Sequence, residues 1–464
     1  MVGLAALVVA ASPVSLANTD DLVKISQDPY TDPAAQHATE VEPVLVVHGD
    51  TIVAAFQVGR FIGAGADNIG WATSKDAGKS WHRGFLSGTT TLVGGVWPRI
   101  SLPLVAYDRK HGVFLIAMQQ FDDNGDGRGI LVARSSDGLH WSAPVQAAST
   151  HGENGHGFAC DDSPKSPYYG NCYDSWLDYS DGVTVTNPIV RSTDGGLTWS
   201  APVLSPDVSA GLPDSIAIQP NGRLVVLGRN GGLNGDQAYA ISSTDGGLTL
   251  QPTVDITTHQ FDYPWLRADP NLSSAVDAHG TIYVVFPDCR FRTNCINPGC
   301  RFQPTTSFCA PNDLLLTTSS NGVDWTAPAR IPIDALTSST DHFITGLGVL
   351  SGSDSAHDRL ALTYYYESNA NLGDGTTCDF TNCLVSAGFI SSADGGRSWQ
   401  HAQRIAGPMP EASLVLTNAG EMVADYISAV FVDGEPFGAF ALARPIDSNT
   451  GLYNEAIYAT GLDD

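Results

Sequence analysis

Basic residues are scarce in this chain of 464 residues: 23 Lys and Arg stand against 49 Asp and Glu, a formal net charge of -26. Phosphate groups are held by clustered cations, so nucleic acid and anionic membrane surfaces are excluded as partners. The 12 histidines show no HExxH spacing, and there is no G-x-S-x-G elbow and no glycine-rich phosphate loop. Zincin proteases, α/β-hydrolases and nucleotide-dependent enzymes therefore drop out. None of the 8 cysteines forms a paired CxxC, which disfavours a zinc cluster. Beyond the N-terminus no apolar run is long enough to span a bilayer.

What is present is turn-forming and strand-forming material. Gly 48, Pro 27, aromatic residues at 9% and hydrophobic residues at 42% suit many short strands joined by tight turns around a core. The opening "GLAALVVAASPVSLA" is an apolar run ending in small residues. It predicts a signal peptide over residues 1–17, cleaved after Ala17, and hence export. The cysteines fall in local groups, which in an exported chain read as disulfides pinning loops. The expected pairs are Cys160 with Cys172, Cys378 with Cys383, and Cys289 with Cys309 enclosing Cys295 with Cys300.

A short motif recurs along the chain. Its copies are "SKDAGKSW" (74–81), "SSDGLHW" (135–141), "STDGGLTW" (192–199), "STDGGLTL" (243–250), "SSNGVDW" (319–325) and "SADGGRSW" (392–399). Each follows a strand-like run such as "GILVAR" or "VSAGFI" and opens another extended segment. Two further strand candidates lie upstream of each copy, as in "SIAIQ" and "LVVLG" around "PNGR". The unit is thus four antiparallel strands with the motif as the turn between the third and fourth, which describes a propeller blade. "ADYISAVFV", "FGAFALA" and "EAIYAT" supply three strands of a last blade, and "LVKIS" near the N-terminus supplies its outer strand. The fold class expected is all-β, one propeller over residues 18–464, seven blades favoured and six the alternative.

In such a ring the motif lies at the rim, and a site forms at the axis from inner-strand starts and second-to-third-strand loops. Residues gathered there include Glu42, Arg60, Asp67, Asp214, Arg229, Arg290, Arg292, Tyr366, Asp425 and Tyr426. Carboxylates, arginines and tyrosines suit a polyhydroxylated ligand such as a sugar, with paired carboxyl groups for acid and base roles. Asp122, Asn124 and Asp126 in "DDNGDG" have the spacing of a calcium loop. No Glu stands at the distal ligand position, so a calcium-stabilised loop and an ordinary polar hairpin both remain open, and no cofactor is otherwise required.

The repeated motif resembles the Asp-box of the sialidase superfamily, and the resemblance covers most of the chain. "VEPVLVVHGDTIVAAFQVGR" and "GADNIG" are similar to the family's first blade, which implies Asp67 as the acid/base. Glu42 and Val41 stand where that family keeps its first arginine. "PDSIAIQPNGRLVVLGR" is similar to the central blade, with Asp214 in place of a Glu and Arg229 retained; "DYISAVFVDG" makes Tyr426 the counterpart of the nucleophile. The third family arginine has no counterpart in its own blade, leaving Arg290 or Arg292 to substitute. The resemblance implies a secreted, monomeric, sialidase-like exo-glycosidase acting on glycans, with specificity altered at Glu42. The rivals are a non-catalytic propeller binding glycan or protein, and a polysaccharide lyase with a Tyr or His342 as base.

Overall fold

The computed structural model describes residues 15–16, 22–149, 155–178, 185–207, 211–230, 236–261, 264, 266–293, 295, 310–368 and 383–463. Apart from short 3-10 turns, the regular structure is all strand, and among the described residues no helix is long and apolar enough to cross a membrane.

The strands pair into antiparallel meanders in chain order. The first runs Gln36–His48, Thr51–Arg60, Ala66–Ser74, His82–Phe85; the second Arg99–Asp108, Val113–Phe121, Gly127–Ser135, Val145–Ser149. The third is shorter, His156–Cys160, Cys172–Trp176, Ile189–Ser192, and its outer edge is one bridge between Ile189 and Val203. Leu212–Ile218, Leu224–Asn230, Asp236–Ser243 and Val254–His259 form the fourth, and Ser273–Val276, Ile282–Asp288, Asp313–Ser319 and Ala329–Arg330 the fifth. Then come Thr340–Leu350, Arg359–Ser368, Leu384–Ser392 and Gln400–Pro410, and finally Ser428–Val432, Glu435–Ala443 and Glu455–Gly461.

The last meander receives its outer strand from the other end of the chain. Val23 and Lys24 pair antiparallel with Ala459 and Tyr458, and the Ile25 amide donates to Ile457 O at 2.9 Å. The "LVKIS" segment takes the place its apolar alternation predicts. The inner strands contact one another in chain order, and Ser428–Val432 contacts Gln36–His48 to complete the cycle.

Buried side chains fill the spaces between successive meanders. Phe114, Ile116 and Met118 of the second meander, for instance, pack with Val53, Ala55 and Ile69 of the first. The recurrent motif seats each meander on its predecessor. In the first copy Ser74 Oγ donates to Asp76 Oδ1 at 2.8 Å, and Asp76 accepts the Ser80 amide (2.8 Å) and hydroxyl (2.6 Å). The copies at Asp137, Asp194, Asp245, Asn321 and Asp394 make the same turn. A side-chain oxygen satisfies amides that the strand ladder leaves unpaired, which is why Ser and Asp recur there.

One loop expectation needs revision. Cys160 bonds Cys172 as the register predicts, but Cys289 bonds Cys295 rather than Cys309. Arg292 causes the difference. Its guanidinium sits on Asp313 at 2.9 and 2.6 Å, and its amide donates to Cys289 O at 2.7 Å, a tight turn that returns Cys295 to 5.3 Å from Cys289, Cα to Cα. The expected pairing of Cys295 with Cys300 is excluded with it. Cys383 is disulfide-bonded; Cys378, Cys300 and Cys309 lie outside the described residues, as does the leader of residues 1–17 except for a pairing of Ser15–Leu16 with Gln403–Arg404.

The structure also chooses between the two readings left open for "DDNGDG". Asp122 Oδ1 accepts the amides of Asn124 (2.8 Å) and Asp126 (3.0 Å), and Oδ2 accepts Arg128 Nε at 3.2 Å and its Nη2. A guanidinium already stands where a calcium ion would, so these residues do not fit a metal and the loop is a closed polar hairpin.

Candidate active site at the axis

The inner strands do not reach the axis as regular β-structure. Register shifts interrupt them between Val41 and Val44, Ser101 and Leu104, Pro213 and Ser215, and Phe343 and Thr345. Each bulge turns an extra residue out of the ladder. In three of them a non-glycine residue has left-handed backbone: Glu42 (φ 57°), Leu102 (φ 52°) and Ile344 (φ 44°). Such a conformation costs on the order of 1 kcal/mol or more, so the surrounding packing holds it in place. In the fourth sheet the extra residue is Asp214.

A cavity of about 420 Å³ opens between the bulged ends and touches residues of every inner strand, a size usual for small-molecule sites. Asp214, Arg229, Asp425 and Tyr426, four of the residues singled out in the sequence, line it together with Arg267, Asp269, Asn271 and His156.

Asn271 organises the polar wall. Its Oδ1 accepts Arg229 Nε and Nη2 at 3.0 and 2.6 Å, and its Nδ2 donates to Asp425 O at 2.9 Å. Arg229 also lies 3.6 Å from Asp214 and 3.4 Å from Asp269. Arg267 arrives because its backbone runs beside the segment before Asp425, its amide donating to Glu421 O at 2.8 Å. Its guanidinium then pairs with Asp425 Oδ2. Burial pushes the Asp214 carboxyl up to about 7, Arg229 and the Leu272 amide opposing and the charges of Asp269 and Asp425 assisting. Asp214 thus carries a proton in mildly acidic solution, on a wall that also holds the Arg267–Asp425 pair, and a proton held near neutrality is what a general acid needs.

Glu42 stands behind this wall, accepting a hydrogen bond from Gln57 Nε2. Burial raises its pKa to about 8 and the neighbouring Asp425 adds to the effect, so Glu42 holds its proton at neutral pH. The Tyr426 hydroxyl donates to Pro103 O at 3.0 Å; burial, with Glu42 and Asp425 adjacent, holds it far above the usual phenol range. His156 is fully occupied: Nδ1 faces Asp174 at 3.0 Å and Nε2 faces Leu102 O at 2.7 Å. Despite burial its pKa is raised by Asp174. With both ring nitrogens committed, it has none left to take a substrate proton.

Other expected site residues lie elsewhere. Asp67 sits beneath the segment that follows the N-terminal strand, hydrogen-bonded to Asp32, and burial with that acidic neighbour raises it to about 9. Arg60 ties down a loop, donating to the carbonyls of Phe61, Gly63 and Gly65 at 2.7 to 2.8 Å. Arg290 is bidentate to Asp288 at 2.8 and 2.7 Å, and Arg292 is consumed by Asp313, so neither replaces a missing arginine. Tyr366 packs on His342 and Tyr364, and His342, 3.1 Å from Asn312 O, is also outside the cavity. Arg267, Asp269, Asn271 and His156 escaped the sequence reading, although "LRADPN" directly precedes an inner strand and the strand-start rule reaches it.

No protein-family profile matches the sequence, and no curated protein matches it. Among solved structures, one described as an ulvan lyase of a new polysaccharide lyase family aligns over 95% of this chain and 96% of its own, at 11% identity and a TM-score of 0.51. The Hadza microbial sialidase Hz136 aligns over 71% and 64%, at 17% identity and 0.45. An α-L-arabinofuranosidase from Fusarium graminearum aligns over 95% and 97%, at 13% identity and 0.45. At 11% identity the likeness to the first of these is one of fold alone.

Proposed function

We propose that this protein is a secreted, glycan-active glycoside hydrolase, built as a single seven-bladed propeller over residues 18–464, with the axial cavity as its active site. The observation that carries the reading is the meeting of Asp214, whose carboxyl is pushed up to about 7 by burial, with Asp425, joined to the Arg267 guanidinium, on the walls of one cavity. Asp214 protonates the departing glycosidic oxygen. Asp425 stabilises the positive charge that develops at the anomeric carbon as the glycosidic bond breaks; a water molecule then bonds to that carbon, and the proton it loses restores Asp214 through solvent. Tyr426 lines the same space and, with its hydroxyl held by Pro103 O, shapes the wall against which the sugar sits. Asp67, implied as the acid by the family resemblance, is assigned no role because it lies outside the cavity.

The test is release of 4-nitrophenol or reducing sugar from a panel of glycosides, by the wild type and by Asp214→Asn. Loss of an acid catalyst is expected to lower turnover about 10²–10⁴-fold, and wild-type activity is expected to fall as pH rises through about 7. Undiminished turnover in Asp214→Asn would remove Asp214 from the chemistry. Sugar binding without any turnover would make the propeller a non-catalytic receptor.

A further inference from the structure

Resting on the reading of the axial cavity as a sugar site, we propose that the sugar it takes is electrically neutral, a pentose or hexose without a carboxylate, and that acidic sugars are turned away. Three cationic side chains reach the cavity wall: Arg229, Arg267 and His156. Each already faces a carboxylate. Arg229 lies 3.6 Å from Asp214 and 3.4 Å from Asp269, Arg267 is joined to Asp425, and His156 is 3.0 Å from Asp174.

An incoming carboxylate would have to displace one of these partners. The exchange replaces one charge-assisted bond by another, and at Arg267 and His156 it strands a buried carboxylate, Asp425 or Asp174, which is unfavourable; at Arg229 the incoming group must also compete with Asn271 Oδ1, which accepts from both Nε and Nη2. The group beside Asp425 on the far side from the cavity is Glu42, a buried acid that supplies no cation. The net charge of -26 repels an anion before it arrives.

Hydroxyl groups meet the opposite situation. Asp269, 39% exposed at its side chain, offers carboxylate oxygens that accept from sugar hydroxyls, and Asp214, protonated below about 7, can donate to one. Ser215 and Ser274, 2.9 Å apart, both donate and accept. Leu102, Leu104 and Leu212 cover the apolar C–H face of a ring.

The experiment is calorimetric titration of the intact protein at pH 6 with two pairs of sugars differing only at C6: galactose against galacturonate, and glucose against glucuronate. The neutral member of at least one pair is expected to bind about tenfold or more tightly than its acid. Equal or tighter binding of the acids overturns the proposal. In Asp425→Asn, and in Asp269→Asn where the exposed position protects folding, an arginine loses its carboxylate and the preference is expected to shrink about tenfold. An unchanged preference in both variants also overturns it. Turnover is followed separately on 4-nitrophenyl glycosides. Neutral preference in binding without hydrolysis would sink the hydrolase reading while upholding the neutral class, whereas hydrolysis of uronides in preference to neutral glycosides would overturn the class itself.

Discussion

Asp67 and Asp214 are two buried aspartates whose raised pKa values have one main cause, desolvation, yet only Asp214 faces a space that a substrate can enter. A raised pKa identifies a catalytic acid only when joined to access. Asp67→Asn is therefore expected to leave turnover unchanged. It is also expected to stabilise the fold at alkaline pH. The folded carboxyl at about 9 holds its proton while the unfolded one ionises near 3.8, so its stabilising effect is full below 3.8 and is lost as pH rises through 9. Asparagine has no such loss, so the Tm difference between variant and wild type should be near zero at pH 4 and several degrees at pH 8.5. A variant that lost activity, or gained no alkaline stability, would return Asp67 to the list of catalytic candidates. Asp214, Asp425 and Tyr426 were legible because an inner-strand start is a position that spacing can fix, and Arg229 because the end of the second strand is another. What Asp67 and Arg60 bind was not legible, since it depends on a segment folding across the first sheet and on a loop closing around a guanidinium.

At the scale of elements, the turn motif does its work through close packing against the preceding meander. Gly78 of the first copy has φ 88° and a Cβ placed there would lie 2.6 Å from the ring of Phe437, which belongs to the last meander. Gly138, Gly196, Gly322 and Gly396 meet Val53, Leu115, Val225 and Leu316 in the same way, each one meander back along the chain. The first copy is thus the one that clasps the two ends of the sequence together. Gly78→Ala is expected to lower stability by about 1–3 kcal/mol, from the left-handed backbone and the contact with Phe437 together; thermal unfolding measures it, with Phe437→Ala as the reference. If Gly78→Ala in a Phe437→Ala background cost as much as in the wild type, the ring contact would not be the cause. The motif's place between third and fourth strands was readable because the alternation of apolar residues brackets it. The Cys289–Cys295 bond was not, because cysteine spacing alone leaves several pairings open and the choice is made by Arg292 reaching a buried Asp313.

The whole molecule combines a strongly acidic surface with an interior rich in protonated acids. Burial raises Glu40 and Asp214 to about 7 and Asp67 to about 9, and it also raises Glu42, Asp358, Glu367 and Glu455. For each of these groups the folded state binds a proton that the unfolded chain has released, so stability falls as pH climbs from the ordinary carboxylate range through 7 to 9. Self-repulsion among surface carboxylates acts in the same direction, since the net charge becomes more negative away from the pI of about 4.5. The exposed turn aspartates oppose the trend only at low pH: hydrogen bonds from Ser80 lower Asp76 to about 2, so its contribution is lost only as pH falls toward that value. The expected profile is a broad stability maximum at mildly acidic pH, with Tm at pH 5 at least about 5 °C above that at pH 8.5. Raising the salt concentration separates the two causes. Salt screens the surface charges but leaves the buried acids to titrate, so part of the alkaline loss should persist at 1 M NaCl. A flat profile from pH 5 to 8.5, or one that salt levels completely, would show that the buried acids do not govern the stability of the fold.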